Sequence, residues 1–466
     1  RVKKSHRCAA TGRFGPQQGE AHIRRIPCGL ALYQGIPRKS GKIVFLEPEK
    51  CGTVRVSCLH QHGSGAVPPA RPTGYLRELL EEPFRPAKIQ TVEALICREH
   101  TDQGQAGKVV AFGEHLCSDQ DILLADKSDF WWYENPSWEK HLFHTFHKGG
   151  KRTQLRDNVC IAARDIDGDG KVEVAVGGNW NPGNTDSEEQ SGSVHYLGSL
   201  GKVKPVQLAH DPTTHRMRWV RTSGKKFALV VLPLHGRGNR GGQGKGVNVT
   251  AYIPPADPSV GNWKTAIINN ELHKTHNFDS VEAGRNRAAS VFSPDNIVVA
   301  GAEGARAISF AGGKWNSSDL ALPDMNGGAG EIRIGILNPA SYACIEPMHG
   351  NTVAVYEMAG GKGEANRWKR TVLDNSLNQG HALAYADVLG TNSLQVIAGW
   401  RNKNKEGKVG IKLYARSEGG KWSTHLIDDN KMACEDLKVA DLNKDGKLDI
   451  IACGRATRNV VIYWNK

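Results

Sequence analysis

The sequence lacks the features of several protein classes. No apolar run among its 466 residues approaches the ~20 residues that a membrane-spanning helix needs. Its ten cysteines include no CxxC pair, which disfavours a zinc site. No helical hydrophobic period continues for long outside GYLRELLEEPF, around Leu79. These absences disfavour a membrane partner and indicate a chain made almost entirely of β-strands.

The formal net charge of +13 is unevenly distributed. The first hundred residues hold 17 Lys and Arg against 8 Asp and Glu. Such a basic segment can bind nucleic acid or acidic polymers. However, it lacks interleaved aromatic residues and the spacing of a zinc finger, so the sequence disfavours a nucleic-acid partner.

A pattern with a period of fifty-odd residues recurs along the chain. It consists of an aromatic residue, a loop, a tryptophan, three further residues and two apolar ones. Four copies place Trp263, Trp315, Trp368 and Trp422 at intervals of 52, 53 and 54 residues. Short runs rich in Val, Ile and Ala lie between them, bounded by Gly, Asn and Asp, which indicates about four β-strands per repeat.

Four short antiparallel strands in ~50 residues are typical of a β-propeller blade. Three blades begin 13 residues after a tryptophan, at His276, His381 and Glu435, and equivalent starts lie near 158, 216 and 331. One more blade must precede these six, and the last holds only two strands of its own. The sequence therefore predicts an all-β, seven-bladed propeller over residues 101–466. Residues 1–100 form an N-terminal segment that includes blade-closing strands and whose order the sequence leaves open.

Two loops share one pattern of polar residues, in DIDGDGKVEVAVGG and DLNKDGKLDIIACG. Oxygen-bearing side chains occupy positions 1, 3, 5 and 9 of each loop, and Ca²⁺ is bound by roughly six to eight such oxygens. The other interpretation is an Asx-stabilised turn between the first and second strands of a blade. Two complete copies favour structural Ca²⁺, with the ligands Asp165, Asp167, Asp169 and Glu173 in the first loop and Asp441, Asn443, Asp445 and Asp449 in the second.

These loops, together with WWYENPSW and GRATRNVVIYWN, resemble the VCBS and FG-GAP propeller repeats that also occur in integrin heads. The resemblance covers roughly residues 110–466 and implies the propeller fold. It implies no single function, because such propellers host adhesion, binding and catalysis alike.

Charged and imidazole side chains occupy the predicted starts of innermost strands, which line one face of a propeller's central channel. A purely structural channel would be filled more cheaply by Val, Ala and Gly, so their convergence from five blades predicts a ligand site. Pairing of the arginines with the glutamates in a structural network is the alternative. The strand-start candidates are His215, Arg216, Arg218, His276, Asn277, Glu331, Arg333, His381 and Glu435, and the loop candidates are His235, Arg237 and His349.

Arginine combined with histidine suits a carboxylated sugar. Arginine binds a carboxylate through two hydrogen bonds, and a histidine with a pKa near neutrality can move a proton. Removing a proton next to a carbonyl or carboxylate builds negative charge on oxygen, and β-elimination follows. His215, His276 and His381 are thus the candidate bases or acids, Arg216 and Arg218 are the candidate charge neutralisers, and the other residues would bind the saccharide.

The motifs HRMRW, LHGRGN, THNFD, GEIRIG, IEPMHGN and GHAL resemble those of propellers that act on sugars by elimination. This group includes the propeller domain of aldos-2-ulose dehydratase, rhamnose–glucuronate lyase and its ulvan-lyase relatives. The resemblance implies a polysaccharide lyase or sugar dehydratase that acts on a saccharide, including uronate-containing ones.

The sequence thus predicts a carbon–oxygen lyase that works by β-elimination in the propeller channel. The sequons at Asn248 and Asn316 are compatible with a secreted or extracytoplasmic protein. The alternative function is a non-catalytic, calcium-stabilised propeller that binds glycans or proteins through its loops. The sequence shows no close pair of carboxylates, which is the feature that would indicate a glycoside hydrolase.

Overall fold

The computed structural model divides the chain into two compact units, Arg1–Pro72 and Thr73–Lys466. The first unit holds a three-stranded antiparallel sheet in the order His22–Arg24, Thr53–Cys58, Val44–Pro48. The structure describes residues 119–466 except 149–150, 153–156, 200–203, 282–295, 336, 338–339, 360–366 and 418, and before residue 119 it describes six strands. The described residues include no helix of the length and apolar character that a membrane span needs.

The second unit is an all-β propeller of seven antiparallel blades. Six blades have four strands, and blade 1 has a fifth, Val109–Val110, beside its innermost long strand. From the centre outward, blade 1 consists of Ile89–Arg98, Asp119–Asp126, Asp129–Glu134 and Glu139–Thr145; blade 2 of Cys160–Arg164, Glu173–Gly177, Val194–Ser199 and Val206–Leu208; and blade 3 of Thr214–Ser223, Lys226–Pro233, Val249–Ile253 and Lys264–Asn269. Blade 4 consists of Thr275–Val281, Asn296–Gly301, Gly304–Ala311 and Lys314–Asp319; blade 5 of Glu331–Gly335, Ser341–Glu346, Thr352–Ala359 and Arg367–Asp374; blade 6 of Gly380–Ala386, Gln395–Trp400, Gly410–Arg416 and Trp422–Asp429; and blade 7 of Cys434–Ala440, Asp449–Gly454, Asn459–Tyr463 and Glu81–Phe84.

A short hairpin follows blade 1, formed by His147–Lys148 and Lys151–Arg152. A single 3₁₀ turn, Pro258–Val260, lies between the last two strands of blade 3. The rest of the regular structure among the described residues is strand, as the repeats of short Val- and Ile-rich runs predict.

Blade 7 joins the two ends of the ring. Its outermost strand, Glu81–Phe84, precedes all the others in sequence and pairs antiparallel with Asn459–Tyr463 near the C-terminus. Its innermost strand also contacts Ile89–Arg98 of blade 1, so the innermost strands form a closed circle. Closure removes the free sheet edges that an open ring would expose.

The propeller differs from two expectations. The helix expected around Leu79 is not found in the described part of that stretch, because Glu81–Phe84 is a strand. Pairing with Asn459–Tyr463 supplies backbone hydrogen bonds that outweigh the local helical preference. The last blade also differs, because it holds three C-terminal strands, Cys434–Ala440, Asp449–Gly454 and Asn459–Tyr463, where the sequence predicts two.

The hydrophobic core lies between neighbouring blades. The second strands, such as Lys226–Pro233 and Gln395–Trp400, are apolar and almost wholly buried because blades cover both of their faces. Val220 and Val230 of blade 3, for example, pack in one cluster with Val299 of blade 4. The outermost strands meet water, and all six residues of Lys314–Asp319 are exposed or half-buried.

The strand order decides which loops lie at each of the two faces of the propeller. Each innermost strand starts at one face, here called the upper face, and the second strand returns to it. The loops between second and third strands therefore also lie at the upper face. The turns between first and second strands lie at the opposite, lower face. Both Asp-Gly loops are such turns, one between Cys160–Arg164 and Glu173–Gly177 and the other between Cys434–Ala440 and Asp449–Gly454.

Removing residues 1–88 should destabilise the propeller, because it deletes Glu81–Phe84 and leaves backbone groups of Asn459–Tyr463 at an open edge. We expect aggregated protein without a cooperative thermal transition, as measured by circular dichroism. Removing residues 1–72 spares the closing strand and is the control. A soluble, cooperatively melting chain without residues 1–88 would show that closure by this strand is unimportant.

The stability of the propeller should fall in mild acid because of His195 in blade 2. This side chain is 6% exposed, and its Nδ1 has no hydrogen-bond partner among the described residues. Burial, and then the nearby His210 and His144, lower the pKa of His195 to about 4. Below its unfolded pKa of about 6.5 the unfolded chain binds the extra proton, so stability is complete above pH ~6.5 and decreases towards pH ~4.

His195→Phe should therefore reduce the pH dependence of the free energy of unfolding by up to about 1.4 kcal/mol per pH unit between these values. Urea unfolding at a series of pH values measures this dependence. Above pH ~7 the two proteins should have the same slope, which serves as the internal control. Equal slopes below pH ~6 as well would contradict the role given to His195.

Candidate functional site

Four histidines meet at the upper face of the channel. His276, His349 and His381, here called the histidine trio, each offer a ring nitrogen, and these atoms lie within 4.8 Å of one another. Their ring centroids are 4.5–5.0 Å apart. His215 lies beside them, with its ring centroid 4.8 Å from that of His276.

The circular arrangement of the blades brings these side chains together from distant parts of the chain. His276 and His381 are the second residues of the innermost strands of blades 4 and 6. His349 lies on the loop after the second strand of blade 5, in a left-handed conformation with φ 53°. This loop is tight, because a Cβ on Gly350 would lie 2.1 Å from the carbonyl oxygen of Glu346. The chain can turn there only with glycine.

The Nδ1 atoms of the buried histidines face hydrogen-bond acceptors. His215 Nδ1 lies 2.7 Å from the carbonyl oxygen of His276, and His381 Nδ1 lies 2.7 Å from that of Glu435. His276 Nδ1 lies 3.0 Å from the carbonyl oxygen of Gly330. These acceptors place the ring hydrogen on Nδ1 and leave the Nε2 lone pair available. His276 Nε2 lies 2.8 Å from His349 Nε2 and, with its own hydrogen on Nδ1, accepts a hydrogen bond from that nitrogen, so these two rings converge through their Nε2 sides.

Burial keeps these imidazoles neutral at pH 7. It lowers the pKa of His215 and of His381 well below the usual value, with Arg216 adding to the effect at His215 and Arg401 at His381. The pKa of His276 is also lowered by burial. Burial, and then His276, lower the pKa of His349 to about 2. Each ring is therefore a lone-pair donor that can bind a cation or accept a proton.

A buried ion pair supports the trio from below. Glu331 is fully buried, and its carboxylate lies 2.9 Å from Arg333 Nη2 and 2.8 Å from Asn277 Nδ2. Its other oxygen lies 3.1 Å from His276 Nδ1. Burial alone would raise the pKa of Glu331, but Arg333 and His276 outweigh it and lower the pKa to about 2. Arg216, 4% exposed, donates to the carbonyl oxygen of His215 at 3.1 Å.

A pocket of about 430 Å³ opens beside the trio, between blades 6, 7 and 1. Its lining includes four cationic side chains, Lys127, Arg401, Arg455 and Arg458, and one carboxylate, Glu435. Glu435 Oε1 lies 2.7 Å from Arg401 Nη1 and 3.7 Å from His381 Nε2, so this residue belongs to both the pocket and the trio. The excess of positive charge favours an anionic ligand.

The structure brings nine of the predicted ligand-site residues to this place. They are His215, Arg216, His276, Asn277, Glu331, Arg333, His349, His381 and Glu435. Arg218 lies two residues further along its strand, where its Nε donates to the carbonyl oxygen of Phe278 at 3.0 Å. Arg237 forms ion pairs with Asp211 and Glu188. His235 pairs through its backbone with Lys274.

Sequence reasoning missed all four cationic residues of the pocket. Lys127, Arg401 and Arg455 each directly follow the second strand of a blade. His235 is a sequence candidate because it lies in the loop after a second strand, two residues beyond Pro233. A lysine or arginine in such a loop faces water as readily as a ligand pocket, so this position alone does not identify the three residues. Trp180 follows a second strand as well, and its ring stacks on His215 at 4.9 Å.

The first Asp-Gly loop gathers acidic oxygens at the lower face. Asp165, Asp167 and Glu173 each place one within 4.8 Å of the others. The same loop forms Asx-type hydrogen bonds, because Asp167 and Asp169 each accept from the backbone N–H two residues on. Burial, with Asp167 and Asp165 adding to it, raises the pKa of Glu173 to about 7.

The second Asp-Gly loop has the same turn. Asn443 and Asp445 each accept from the backbone N–H two residues on, and Asp441 accepts from that of Gly446. Asp441 Oδ1 is buried and has no hydrogen-bond partner among the described residues. Burial raises the pKa of Asp449 to about 6. In both loops the turn is formed, and carboxylates stand close to other acidic groups.

The histidine trio fits a divalent transition metal better than calcium. Neutral imidazole nitrogens are ligands of zinc, copper, iron and nickel, whereas Ca²⁺ takes oxygen. Metal-binding histidines usually donate their second ring hydrogen to a carbonyl or carboxylate. His276 and His381 already have such acceptors in Gly330 and Glu435.

No family model matches the chain, and no curated protein matches it. Among solved structures, the WD40 repeats of RRP9 are similar at 14% identity, over 83% of this chain and all of that one, with a TM-score of 0.44. This similarity carries no statement about function, and the propeller assignment rests on the strand pairing of the chain itself.

Proposed function

We propose that the chain is a carbohydrate-active carbon–oxygen lyase that cleaves or dehydrates a saccharide by β-elimination at the upper face of the channel. The supporting observation is that neutral histidines lie with buried arginines and that Glu435, 3.7 Å from His381 Nε2, joins them to a cation-lined pocket. We infer the same activity from the resemblance of its motifs to those of propellers that act on sugars by elimination.

His215 is the residue best suited to accept the proton. Its Nδ1 is engaged by the carbonyl oxygen of His276, so its Nε2 lone pair remains available. Burial lowers the pKa of His215 well below its usual value, which keeps the ring neutral at pH 7 and makes it a weaker base than the near-neutral histidine that the sequence predicts. In the elimination, the C–H bond next to a carbonyl or carboxylate breaks and its proton moves to this nitrogen. A carbon–carbon double bond forms, and the bond to the oxygen on the next carbon breaks. That oxygen leaves with the proton that the His215 imidazolium gives back, which restores the neutral ring.

The arginines would stabilise the negative charge that develops on the substrate oxygen. Arg216 and Arg333 are both nearly buried, where a charge acts more strongly than in water. His276, His349 and His381 would hold a divalent metal ion. Such an ion, when bound, supplies further polarisation of a carbonyl or carboxylate oxygen.

The pocket favours an acidic saccharide. Arg401 is paired with Glu435, whereas Arg455 and Arg458 line the pocket from the exposed turn of blade 7. Arginines bind carboxylates or sulfate esters with directional hydrogen bonds. A uronate unit held by this turn would lie next to Glu435 and His381.

The second candidate function is a non-catalytic propeller that binds glycans or proteins. The deep burial of His276 and Glu331, at 1% and 0% exposure, favours it, because such groups can belong to a purely structural network. Such a protein would bind a saccharide in the pocket and release no unsaturated product.

Incubation with uronate polymers and osones should generate an ultraviolet-absorbing unsaturated product. His215→Ala should lower the rate by roughly 10²–10⁴-fold, because general base catalysis is lost, and should leave saccharide binding largely intact. The matched control is His425→Ala, on the outermost strand of blade 6.

His425→Ala should keep the full rate. Saccharide binding by the unaltered chain without product from any of the substrates would favour the second candidate function. A full rate in His215→Ala would show that another residue takes the proton.

We also propose that both Asp-Gly loops hold a structural Ca²⁺. The supporting observations are the clustered oxygens of the first loop, the unpartnered oxygen of Asp441 in the second, and the raised pKa values of Glu173 and Asp449. A cation would relieve the repulsion among these carboxylates. Since both loops lie at the lower face, this Ca²⁺ would stabilise the blades and stay apart from the saccharide.

A calcium chelator should therefore lower the melting temperature, and Ca²⁺ should restore it. At a hundredfold excess over Kd the contribution is about 2.7 kcal/mol per site. Combining Asp165→Asn with Asp441→Asn should abolish the response, whereas His349→Ala should preserve it. An unchanged melting temperature in chelator would support the Asx-turn interpretation alone.

A further inference from the structure

We propose that Glu331 is a positioning residue that sets the orientation and the basicity of His276 within the histidine trio. The inference rests on the proposed function, because it concerns the trio as a metal-binding group. Glu331 opens the innermost strand of blade 5, next to the strand of blade 4 that carries His276.

Each oxygen of the Glu331 carboxylate has a separate partner. Oε1 lies 3.1 Å from His276 Nδ1. Oε2 accepts from Asn277 Nδ2 at 2.8 Å and from Arg333 Nη2 at 2.9 Å. Because two donors fix Oε2 and the side chain is fully buried, the carboxylate cannot rotate away, and Oε1 stays directed at His276.

The carboxylate adds something that the backbone does not. His276 Nδ1 also lies 3.0 Å from the carbonyl oxygen of Gly330, so its hydrogen is shared between a neutral acceptor and a charged one. A carboxylate on Nδ1 pushes electron density towards Nε2, which makes the opposite nitrogen a stronger metal ligand. His381 differs, since its Nδ1 faces the backbone carbonyl of Glu435.

Stability alone does not account for the buried pair of Glu331 and Arg333. Replacing a buried ion pair by apolar side chains of similar volume is often neutral or stabilising, because two charges no longer have to leave water. The presence of two buried charges beside the trio is explained if the Glu331 carboxylate orients His276 and makes its Nε2 more basic. Arg333 then serves to hold Glu331 Oε2 in place.

The test is a titration of the full chain with Co²⁺, followed by its visible d–d absorption, with Ca²⁺ in excess to fill the Asp-Gly loops. Glu331→Gln keeps the size and removes the charge. We expect the affinity for Co²⁺ to fall about 10–100-fold and the absorption spectrum to shift, since the supporting partner of a metal ligand is lost. Asp374→Asn is the matched control, because Asp374 is also paired with a cation, Lys412 at 2.9 Å, but lies on the outermost strand of blade 5.

A second variant keeps the test independent of folding. Glu331→Gln combined with Arg333→Met leaves no unpaired buried charge and should show the same loss of affinity with a cooperative thermal transition. Wild-type affinity and spectrum in either folded Glu331 variant would overturn the inference while leaving the proposed function intact. If the unaltered chain shows no d–d absorption from a histidine site, the metal part of the proposed function fails, and this inference fails with it.

Discussion

The pairing of Glu81–Phe84 with Asn459–Tyr463 is the contact on which the arrangement of the site depends. It joins the first part of the propeller to the last through backbone hydrogen bonds, and it allows blade 7 to stand against blade 1. Lys127 of blade 1 and Arg455 of blade 7 line the same pocket only because this junction is closed. The pocket therefore forms at the junction between blade 1 and blade 7, which bring together residues from the early and the last parts of the chain.

In the closed ring, the repeated strand pattern places imidazole and charged side chains of several blades next to one another. Innermost strands that start at one face bring His276, Glu331 and His381 from blades 4, 5 and 6 to the same point, although each follows the previous one by about fifty residues. These side chains are buried, so their charges and lone pairs interact more strongly than in water. The result is a set of neutral imidazoles beside an ionised carboxylate and arginines, and the proposed removal of a proton next to an anionic group would use the imidazoles and the arginines.

Much of the fold was accessible from the sequence, because it is encoded locally and repeatedly. The spacing of the tryptophans predicted the blades, and the prediction of an all-β, seven-bladed propeller is confirmed by the strand order. The helix expected around Leu79 was wrong over Glu81–Phe84, because a partner about 380 residues away determines that segment. A local pattern contains no information about such a partner.

The candidate site was accessible in part for the same reason. Strand starts can be found by counting, so His276, Glu331 and His381 were named correctly as neighbours. The hydrogen bond from His276 to Glu331, and the role of Arg401 between pocket and trio, depend on side-chain directions and on the curvature of the ring. An arginine after a strand looks the same in sequence whether it faces water or a ligand pocket, so Arg401 gave no distinguishing signal.

The account depends most on the convergence of His276, His349 and His381 into one metal-binding centre beside the pocket. The most direct measurement is an anomalous difference map from crystals of the full chain soaked in Zn²⁺ and recorded on both sides of the zinc absorption edge. We predict a strong peak among the three imidazole rings, separate from any signal at the Asp-Gly loops of the lower face. Zinc at the loops alone, or at neither place, would contradict it.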